Sequence, residues 1–445
     1  MTGPPGTFTR DSVTGMAYGG LALYAYVLYV QGPLLPLLRE ETDLSYAAMS
    51  AHSTLFAGGG IITNLVYARV SARLGCRRLF WAAAGALAVG ALLLALGAWA
   101  GVAYTLAASL AMGVTGATLQ TATATVLSDH HGPYRERALV EANAGASATA
   151  LLAPLAVGAC QAAGPGWRAT LLVPLLAGAV LYAVCRRVPF GAPPQRSAGA
   201  AAHEGQEDQK DQEDKGSAPD ARTAAGSTAV RGPLPARFRL LCALLGTVVG
   251  LEFCVVFYGA PHLSSGVGLS TDSAAAAMSL FAAGALAGRL VGSSVARPGR
   301  ARRLVVAALA VTGAGFLLLW TAQTAAVALV ALFVTGFGVA NLFPLVLSLA
   351  IEVAPERADL TARVYLTAST AIMCAPLLLG ALSDRVGVRP AFGVTALLIA
   401  VAALLVLLDR GPRTPSSTPN PSPSTPLPST PLPPAERTHP SEVKS

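Results

Sequence analysis

A single carboxylate, Glu252, lies near the middle of the apolar segment GTVVGLEFCVVFYG, residues 246–259. A charge in so apolar a setting is costly, about 2.5–3.5 kcal/mol at the centre of a lipid bilayer. We expect this carboxyl group to gain and lose a proton as its surroundings open and close. The alternative is a structural glutamate that stays protonated or hydrogen-bonded. Phe253 and Phe257 follow it and are candidates for an aromatic wall beside it.

Two further charged residues lie just inside apolar segments. Glu141 and Arg363 stand 222 positions apart, and each lies about one helical turn inside the start of its segment. Opposite charges at positions that correspond in this way predict gate residues that form and break ion pairs. The competing interpretation is that both are ordinary helix-end residues whose charged groups reach the membrane surface.

Uncharged polar residues in the apolar segments are candidates for lining a mostly neutral cavity. Tyr24 and Gln31 are seven residues apart and therefore share one helical face, and Tyr26 and Tyr29 lie off that face. The other candidates of this kind are Gln120, Asn143 and Asn341. For each of them, hydrogen bonding between helices is the competing interpretation.

The sequence predicts no metal site and no cofactor. His52, His262 and the pair His130 and His131 have no acidic or cysteine cluster near them, so we interpret them as surface histidines. The six cysteines lack paired spacing and are expected to be small buried residues. The sequence contains no nucleotide-binding loop or hydrolase motif.

Long apolar segments must position these residues. The chain of 445 residues is 53% hydrophobic and 12% charged, with a mean hydropathy of +0.55, which excludes an ordinary water-soluble protein. A helix needs about 20 apolar residues to cross a bilayer. The sequence therefore predicts an all-α membrane protein with twelve transmembrane helices, at residues 15–38, 49–68, 79–100, 102–127, 139–162, 169–184, 240–263, 274–294, 304–323, 325–351, 360–382 and 390–408.

Basic residues in the connections predict the orientation. Arg and Lys accumulate in the cytoplasmic connections of bacterial inner-membrane proteins. Here arginines follow helices two, four, eight and ten, whereas the turns after helices three and nine have no basic residue. We therefore expect a multi-pass protein of the bacterial inner membrane with both termini in the cytoplasm. The first helix lacks the features of a cleaved signal peptide and is expected to be retained.

The two sets of six helices resemble copies of each other. APLAVGA at residues 153–159 recurs as APLLLGA at 375–381, and Gly116 and Gly338 have the same spacing of 222. This duplication predicts two pseudo-symmetric six-helix bundles, residues 1–189 and 237–411. Two further segments have a polar or low-complexity composition. We expect a disordered cytoplasmic linker at 190–236 and a disordered Pro/Ser/Thr-rich tail at 412–445.

A basic motif follows helix two and recurs after helix eight. The copies read ARVSARLGCRR, residues 68–78, and GSSVARPGRARR, residues 292–303. In this motif, in helix number and in the duplication, the chain resembles transporters of the major facilitator superfamily. That family carries a Gly-x-x-x-Asp-Arg-x-Gly-Arg-Arg motif in this loop, and here Ala72 and Ala296 occupy its acidic position. The matching residues are Arg73, Gly75, Arg77, Arg78, Gly292, Arg297, Gly299 and Arg300.

The resemblance implies a carrier that works by alternating access. In that family helix five faces helix eight, which makes Arg289 the expected partner of Glu141 at a cytoplasmic gate. We expect a secondary active transporter of a small organic solute, coupled to protons through Glu252. The alternative is a membrane sensor or receptor that uses the same bundle without transport. We do not expect an enzyme, because no helix carries paired acids or a His and Asp combination suited to catalysis.

The expected partners are a small-molecule substrate, protons and the lipid bilayer. The net charge of +8 is accounted for by arginines at helix ends and in the cytoplasmic connections. Nucleic-acid binding is therefore not expected. We expect the chain to act as a monomer.

Overall fold

Helices form the regular structure in this computed structural model, which describes residues 8–97, 99–188, 236–295, 300–353 and 358–409. The first half, within these residues, contains α1 (Ser12–Thr42), α2 (Tyr46–Leu74), α3 (Cys76–Gly97), α4 (Val102–His131), α5 (Arg135–Ala162) and α6 (Leu172–Cys185). The second contains α7 (Ala236–Val267), α8 (Thr271–Val295), α9 (Ala301–Thr321), α10 (Ala325–Val339), α11 (Leu342–Glu352), α12 (Ala358–Val386) and α13 (Val388–Leu408). The linker and tail expected at 190–236 and 412–445 lie outside the described residues, except for Ala236.

Eleven segments of the described residues are long and apolar enough to cross a membrane, and α10 and α11 together make one of them. α2 supplies the twelfth crossing between α1 and α3, although Ser50, His52 and Ser53 make its first turns less apolar. The predicted fold class, an all-α membrane protein with twelve transmembrane helices, is confirmed. With an even number of crossings, α1 begins and α13 ends on one side, which we call the terminal face. The α1–α2, α7–α8 and α12–α13 turns lie on the opposite side, the far face.

The tenth predicted helix, 325–351, is interrupted. α10 ends at Val339 and α11 begins at Leu342, so the prediction of one continuous helix is wrong. Pro344 has no N–H to donate to the Ala340 carbonyl, and its ring clashes with that carbonyl in a regular helix. Asn341 at the break donates a 2.6 Å hydrogen bond from Nδ2 to the Gly288 carbonyl of α8. The break is therefore stabilised by the neighbouring helix.

The sixth predicted helix, 169–184, starts later than expected. Residues Trp167–Leu171 form a 3-10 turn, and the α-helix begins at Leu172. Pro174 lacks the N–H that would bond to the Thr170 carbonyl, so regular α-helical pairing cannot extend back to that residue.

The two halves pack their helices in the same order. α2 contacts α4 in the first half as α8 contacts α10 in the second, and the pair α3 and α4 corresponds to α9 and α10. Similarly, α1 packs on α5 and α7 packs on α12. The packing thus follows the repeat found in the sequence.

Two glycines allow these corresponding helix pairs to approach closely. A Cβ atom added at Gly113 of α4 would collide with the Phe56 carbonyl of α2. One added at Gly336 of α10 would collide with the Phe281 carbonyl of α8. Because lipid chains are as apolar as the side chains, helices in a membrane associate mainly through such close packing.

Candidate functional site

The halves meet along two main helix pairs, α2 with α12 and α5 with α8. α1 and α7 also touch, and a Cβ atom at Gly32 of α1 would lie only 2.6 Å from the Val256 carbonyl of α7. Carriers built from repeated bundles bind their solutes between the bundles. The polar side chains that these facing helices bring together therefore define the candidate site.

Arg289 of α8 is the central residue of this site. Its Nη1 donates a 2.6 Å hydrogen bond to the Ser147 hydroxyl of α5. The Tyr29 hydroxyl of α1 lies beside the same guanidinium, and the Glu252 carboxylate of α7 is close enough to interact electrostatically with both. Each half thus contributes two polar side chains, each from a different helix.

Glu252 lies at the middle of α7, with sixteen residues of the helix before it and fifteen after it. Its side chain is half-buried, whereas its neighbours Leu251 and Phe253 are buried. Phe253 and Phe257 are also packed against each other, with ring centroids 6.1 Å apart. The two predicted wall residues therefore belong to the packed core beside Glu252. A carboxylate near an arginine but not bonded to it can respond to protonation without breaking a direct ion pair.

At the far face the halves are held together by hydrogen bonds. Asp384, at the end of α12, accepts one from the Tyr46 backbone N–H at 2.7 Å and one from the Ala47 N–H at 2.9 Å. The first turn of a helix leaves such N–H groups unpaired, and a carboxylate satisfies them well. One turn deeper, the hydroxyls of Tyr258 and Ser50 are hydrogen-bonded. Asp384 therefore caps a helix of the other half.

A second set of far-face contacts joins α5 and α1 to the start of α8. Gln161 donates a 2.9 Å hydrogen bond to Asp272, and Thr271 donates one of 2.8 Å to Glu40. The hydrogen bonds described between the halves all lie either at Arg289 and Ser147 or nearer to the far face. The far face is thus closed in this structure.

Tyr24 and Gln31, the two candidate cavity residues on α1, differ in their surroundings. Tyr24 packs its half-buried ring against Gly116 of α4, where a Cβ atom would lie 3.0 Å from it. Gln31 is only 1% exposed. Its Nε2 makes a long 3.4 Å hydrogen bond to the Val27 carbonyl, and its Oε1 has no partner among the described residues. Neither side chain is joined to Arg289.

The remaining neutral candidates lie in different places. Gln120 is exposed on α4. Asn143 is exposed on α5, donates to the Leu139 carbonyl at 2.7 Å, and lies one turn from Ser147 on the same helical face. Asn341 is engaged by the Gly288 carbonyl and has a structural role at the helix break. Of these three, Asn143 is next to the candidate site.

The expected pairing of Glu141 with Arg289 is wrong for this conformation. Glu141 accepts hydrogen bonds from Arg10 at 2.8 and 2.9 Å, from Arg137 at 3.2 Å and from Tyr18 at 3.2 Å. It lies six residues before Ser147, which places it about 9 Å nearer to the terminal face than the level of Arg289. Its described partners all belong to its own half, and Glu141 ties the N-terminal segment to α5.

Arg363, the third predicted gate residue, is exposed near the start of α12. Its charge acts on the Cys242 thiol of α7, a neighbour in the same half. Its role as a gate residue stays a prediction.

The interpretation of the histidines as surface residues is wrong for three of them. His52 and His262 are fully buried, bonded to Thr105 at 2.8 Å and to the Leu319 carbonyl at 3.1 Å. His131 is 9% exposed and bonded to Thr14 at 2.8 Å. In the described residues, no group of three or more potential metal ligands occurs.

His130 is paired with Asp11 at the start of α1, with 2.6 Å between Nε2 and Oδ2. Partial burial alone would raise the pKa of Asp11. Hydrogen bonds from Thr14 and His130 outweigh that effect and lower the pKa below its ordinary value. This pair adds a second link between α1 and the end of α4 beside that of His131.

The basic motif forms the turn after α2. Gly75 ends that helix with a φ of +77°, a conformation that favours glycine. Arg77 donates a 2.6 Å hydrogen bond to the Arg186 carbonyl at the end of α6, and Arg73 and Arg78 are exposed. In the second copy, Gly292 packs on Asn341 and Arg300 is exposed before α9. Arg297 and Gly299 lie outside the described residues.

Sequence reasoning missed Tyr29 and Ser147. Helical spacing puts Tyr29 off the face of Tyr24 and Gln31, yet it is the α1 residue that lies beside Arg289. Ser147 has a counterpart in Ser369 at the 222-residue spacing of the repeat. That correspondence places Ser147 in the repeat, but it does not identify Ser147 as the partner of Arg289.

Solved structures of transporters share this fold. A bacterial homologue of the human lysosomal transporter Spinster, inward-facing and unoccupied, matches with a TM-score of 0.66 at 14% identity, over 90% of this chain and 97% of that chain. Its inward-facing occupied form gives 0.63 at 14% identity, over 89% and 95%. A mutant of the nucleoside transporter NupG gives 0.65 at 11% identity, over 90% and 99%. At these identities the likeness concerns the fold.

The family assignment comes from the sequence. No curated protein matches the chain. The model of the Major Facilitator Superfamily matches residues 17–359 and 243–440, which is most of the chain. The protein belongs to the Major Facilitator Superfamily of membrane transporters.

Proposed function

We propose that the protein is a secondary active carrier that moves a small organic solute by alternating access and is coupled to the proton gradient through Glu252. The observation that carries this proposal is the meeting of Glu252 and Arg289 with Tyr29 and Ser147 between the two halves. Two helices from each half supply these groups, and the halves must move relative to each other in such a carrier.

The electrostatics of this site support the proposed coupling. Ionised Glu252 attracts Arg289, and a proton on Glu252 removes that attraction. Arg289 is also hydrogen-bonded to Ser147 of the other half. The proton on Glu252 therefore changes an interaction that spans the halves.

The closed far face supports an inward-facing state. Asp384 and Tyr258 join the halves there. Arginines concentrate on the terminal face, including Arg73, Arg77 and Arg300, and cytoplasmic loops are the ones that accumulate such residues. In this proposal both termini are cytoplasmic, the membrane is the bacterial inner membrane, and the open side of the carrier faces the cytoplasm.

Solute counterflow in proteoliposomes separates a carrier from a sensor that does not transport. Liposomes are loaded with an unlabelled solute from panels of carboxylates, sugars, nucleosides and amines, and entry of the labelled solute is followed without any ion gradient. We expect saturable exchange of at least one solute. A thiol cross-link between cysteines introduced at Ala47 and Asp384 should stop that exchange, and each single-cysteine variant is the control. Exchange that continues through the cross-link contradicts alternating access, and a panel without any exchange favours the sensor.

A further inference from the structure

The described partners of the Arg289 guanidinium do not use all of its hydrogen-bond donors. Its described partners are the Ser147 hydroxyl and the Tyr29 hydroxyl, which are both neutral. Among the ion pairs of the described residues, none joins a carboxylate to Arg289. A guanidinium has five N–H donors in a planar fork, which two hydroxyls do not use up. Arg289 therefore has the capacity to bind one more acceptor group.

The charges around the site determine which group that is. Arg289 keeps its positive charge at every physiological pH. The titratable groups that act on Glu252 are Arg289 from α8 and Tyr29 from α1. In the described parts of α10, α11, α12 and α13, which also pack on α7, no titratable group acts on it. The net charge of the site is thus zero with Glu252 ionised and positive with Glu252 protonated.

This balance favours one class of solute. A cation meets a site that is neutral or positive, and a neutral molecule gains no attraction from the proton. An anion is attracted only after Glu252 has been protonated. A planar monocarboxylate matches the guanidinium fork and cancels the single positive charge, whereas a doubly charged phosphate leaves an excess negative charge in an apolar setting.

We propose that the solute carries a carboxylate, which binds to Arg289 together with a proton on Glu252. This inference rests on the proposed carrier function and names its solute class. One anion and one proton enter the site together, so each transport cycle moves no net charge. On the side with the lower proton concentration, Glu252 releases its proton to water and its carboxylate displaces the solute from Arg289.

Ligand-dependent thermal unfolding of the purified full-length protein tests this inference. The probes are acetate, lactate and benzoate, each with its amide and with an amine of the same carbon skeleton, at constant ionic strength. At least one carboxylate should raise the melting temperature of the native protein at pH 5.5 and do so much less at pH 8. In Glu252→Gln, which mimics the protonated state, that shift should be present at both pH values.

Variants of arginine identify the binding group. Arg289→Gln should weaken carboxylate binding about tenfold or more, because it removes a charged hydrogen-bond donor. Arg239→Gln is the control, because Arg239 is an exposed arginine near the start of α7, at the terminal face. This variant should bind the carboxylate as the native protein does. The inference is overturned if no carboxylate shifts the melting temperature, if the shift persists in Arg289→Gln, or if an amide or amine binds in its place. A neutral or cationic solute whose gradient-driven transport requires Glu252 would refute the carboxylate while leaving the proposed carrier intact.

Discussion

Arg289 and Ser147 are joined by a 2.6 Å hydrogen bond across the two halves of the molecule. This bond lies nearer to the terminal face than any other hydrogen bond described between the halves. It marks the inner limit of the closed region, and Glu252 acts on the same arginine. The site that we propose to sense the proton is therefore located where the hydrogen-bonded contact between the halves ends.

Removing the Ser147 hydroxyl should destabilise this conformation. Ser147→Ala deletes a hydrogen bond to a charged donor, which contributes about 1.5–3 kcal/mol in proteins. We expect a lower melting temperature, measured by tryptophan fluorescence in detergent. Thr149→Ala is the matched control on the same helix, because the Thr149 hydroxyl bonds within α5, to the Gly145 carbonyl. In a double-mutant cycle, Ser147→Ala and Arg289→Gln should be strongly non-additive. Simple additivity of the two would contradict the direct bond.

Asp384 should stabilise the closed far face. Asp384→Asn removes one of the two carboxylate oxygens that accept hydrogen bonds from the Tyr46 and Ala47 N–H groups. It also removes a negative charge from the start of α2. Together these changes should destabilise the closed far face by about 1–2 kcal/mol. We expect a larger population with the far face open. This population is measured from the distances between spin labels on the α1–α2 and α7–α8 turns. The labels are attached to introduced cysteines in a protein without its native cysteines. Asp43→Asn is the control, since Asp43 is an exposed carboxylate on the same face. Equal distance distributions in the two variants would count against this role.

Glu141 should behave as a residue that anchors the N-terminal segment. Reversing its charge in Glu141→Arg should reduce transport, because Arg10 and Arg137 are then repelled. Adding Arg10→Glu should recover part of the lost activity, whereas adding Arg289→Glu should recover none. Solute exchange in proteoliposomes measures all three variants. Recovery by Arg289→Glu, and not by Arg10→Glu, would restore the gate pair that the sequence predicted.

The close approach of helices at Gly113 and Gly336 should make both positions intolerant of any side chain. Gly113→Ala and Gly336→Ala place a methyl group against the carbonyls of Phe56 and Phe281, and the helices must separate to accept it. We expect a severe loss of folded protein, measured by fluorescence-detected size-exclusion chromatography. Gly85→Ala is the matched control within a helix, because its Cβ atom would meet nothing within 4 Å. A normal yield of Gly113→Ala would show that this crossing is adaptable.

Much of the fold follows from the sequence because the bilayer imposes a strong constraint. Every crossing needs a long, largely apolar helix, so hydropathy clearly locates eleven of them, and α2 is the less apolar twelfth. The run 325–351 is mostly apolar, so hydropathy predicts one continuous helix there, and the break after Val339 is signalled only by local residues such as Asn341 and Pro344. Helix ends such as the start of α6 depend on local proline chemistry in the same way.

The candidate site was predictable only in part. Glu252 stands out because a charge is costly inside an apolar helix, whereas Arg289 is predicted through the family resemblance, as the partner of Glu141. Their partners depend on which helix faces meet between the halves, and one sequence does not contain that information. Ser147 looks like any serine in a helix of small residues, and Asp384 looks like an ordinary acid at a turn. For the same reason, the sequence pairs Glu141 with Arg289 because their helices face each other, although Glu141 lies about 9 Å nearer to the terminal face.

Proton coupling through Glu252 is the central claim, and one comparison tests it directly. Proteoliposomes that contain native protein or Glu252→Gln are given an imposed pH gradient, and solute accumulation is measured beside solute exchange without a gradient. We predict that Glu252→Gln retains exchange but no longer accumulates solute, while Asp43→Asn does both as the native protein does. Full gradient-driven accumulation in Glu252→Gln would contradict the claim.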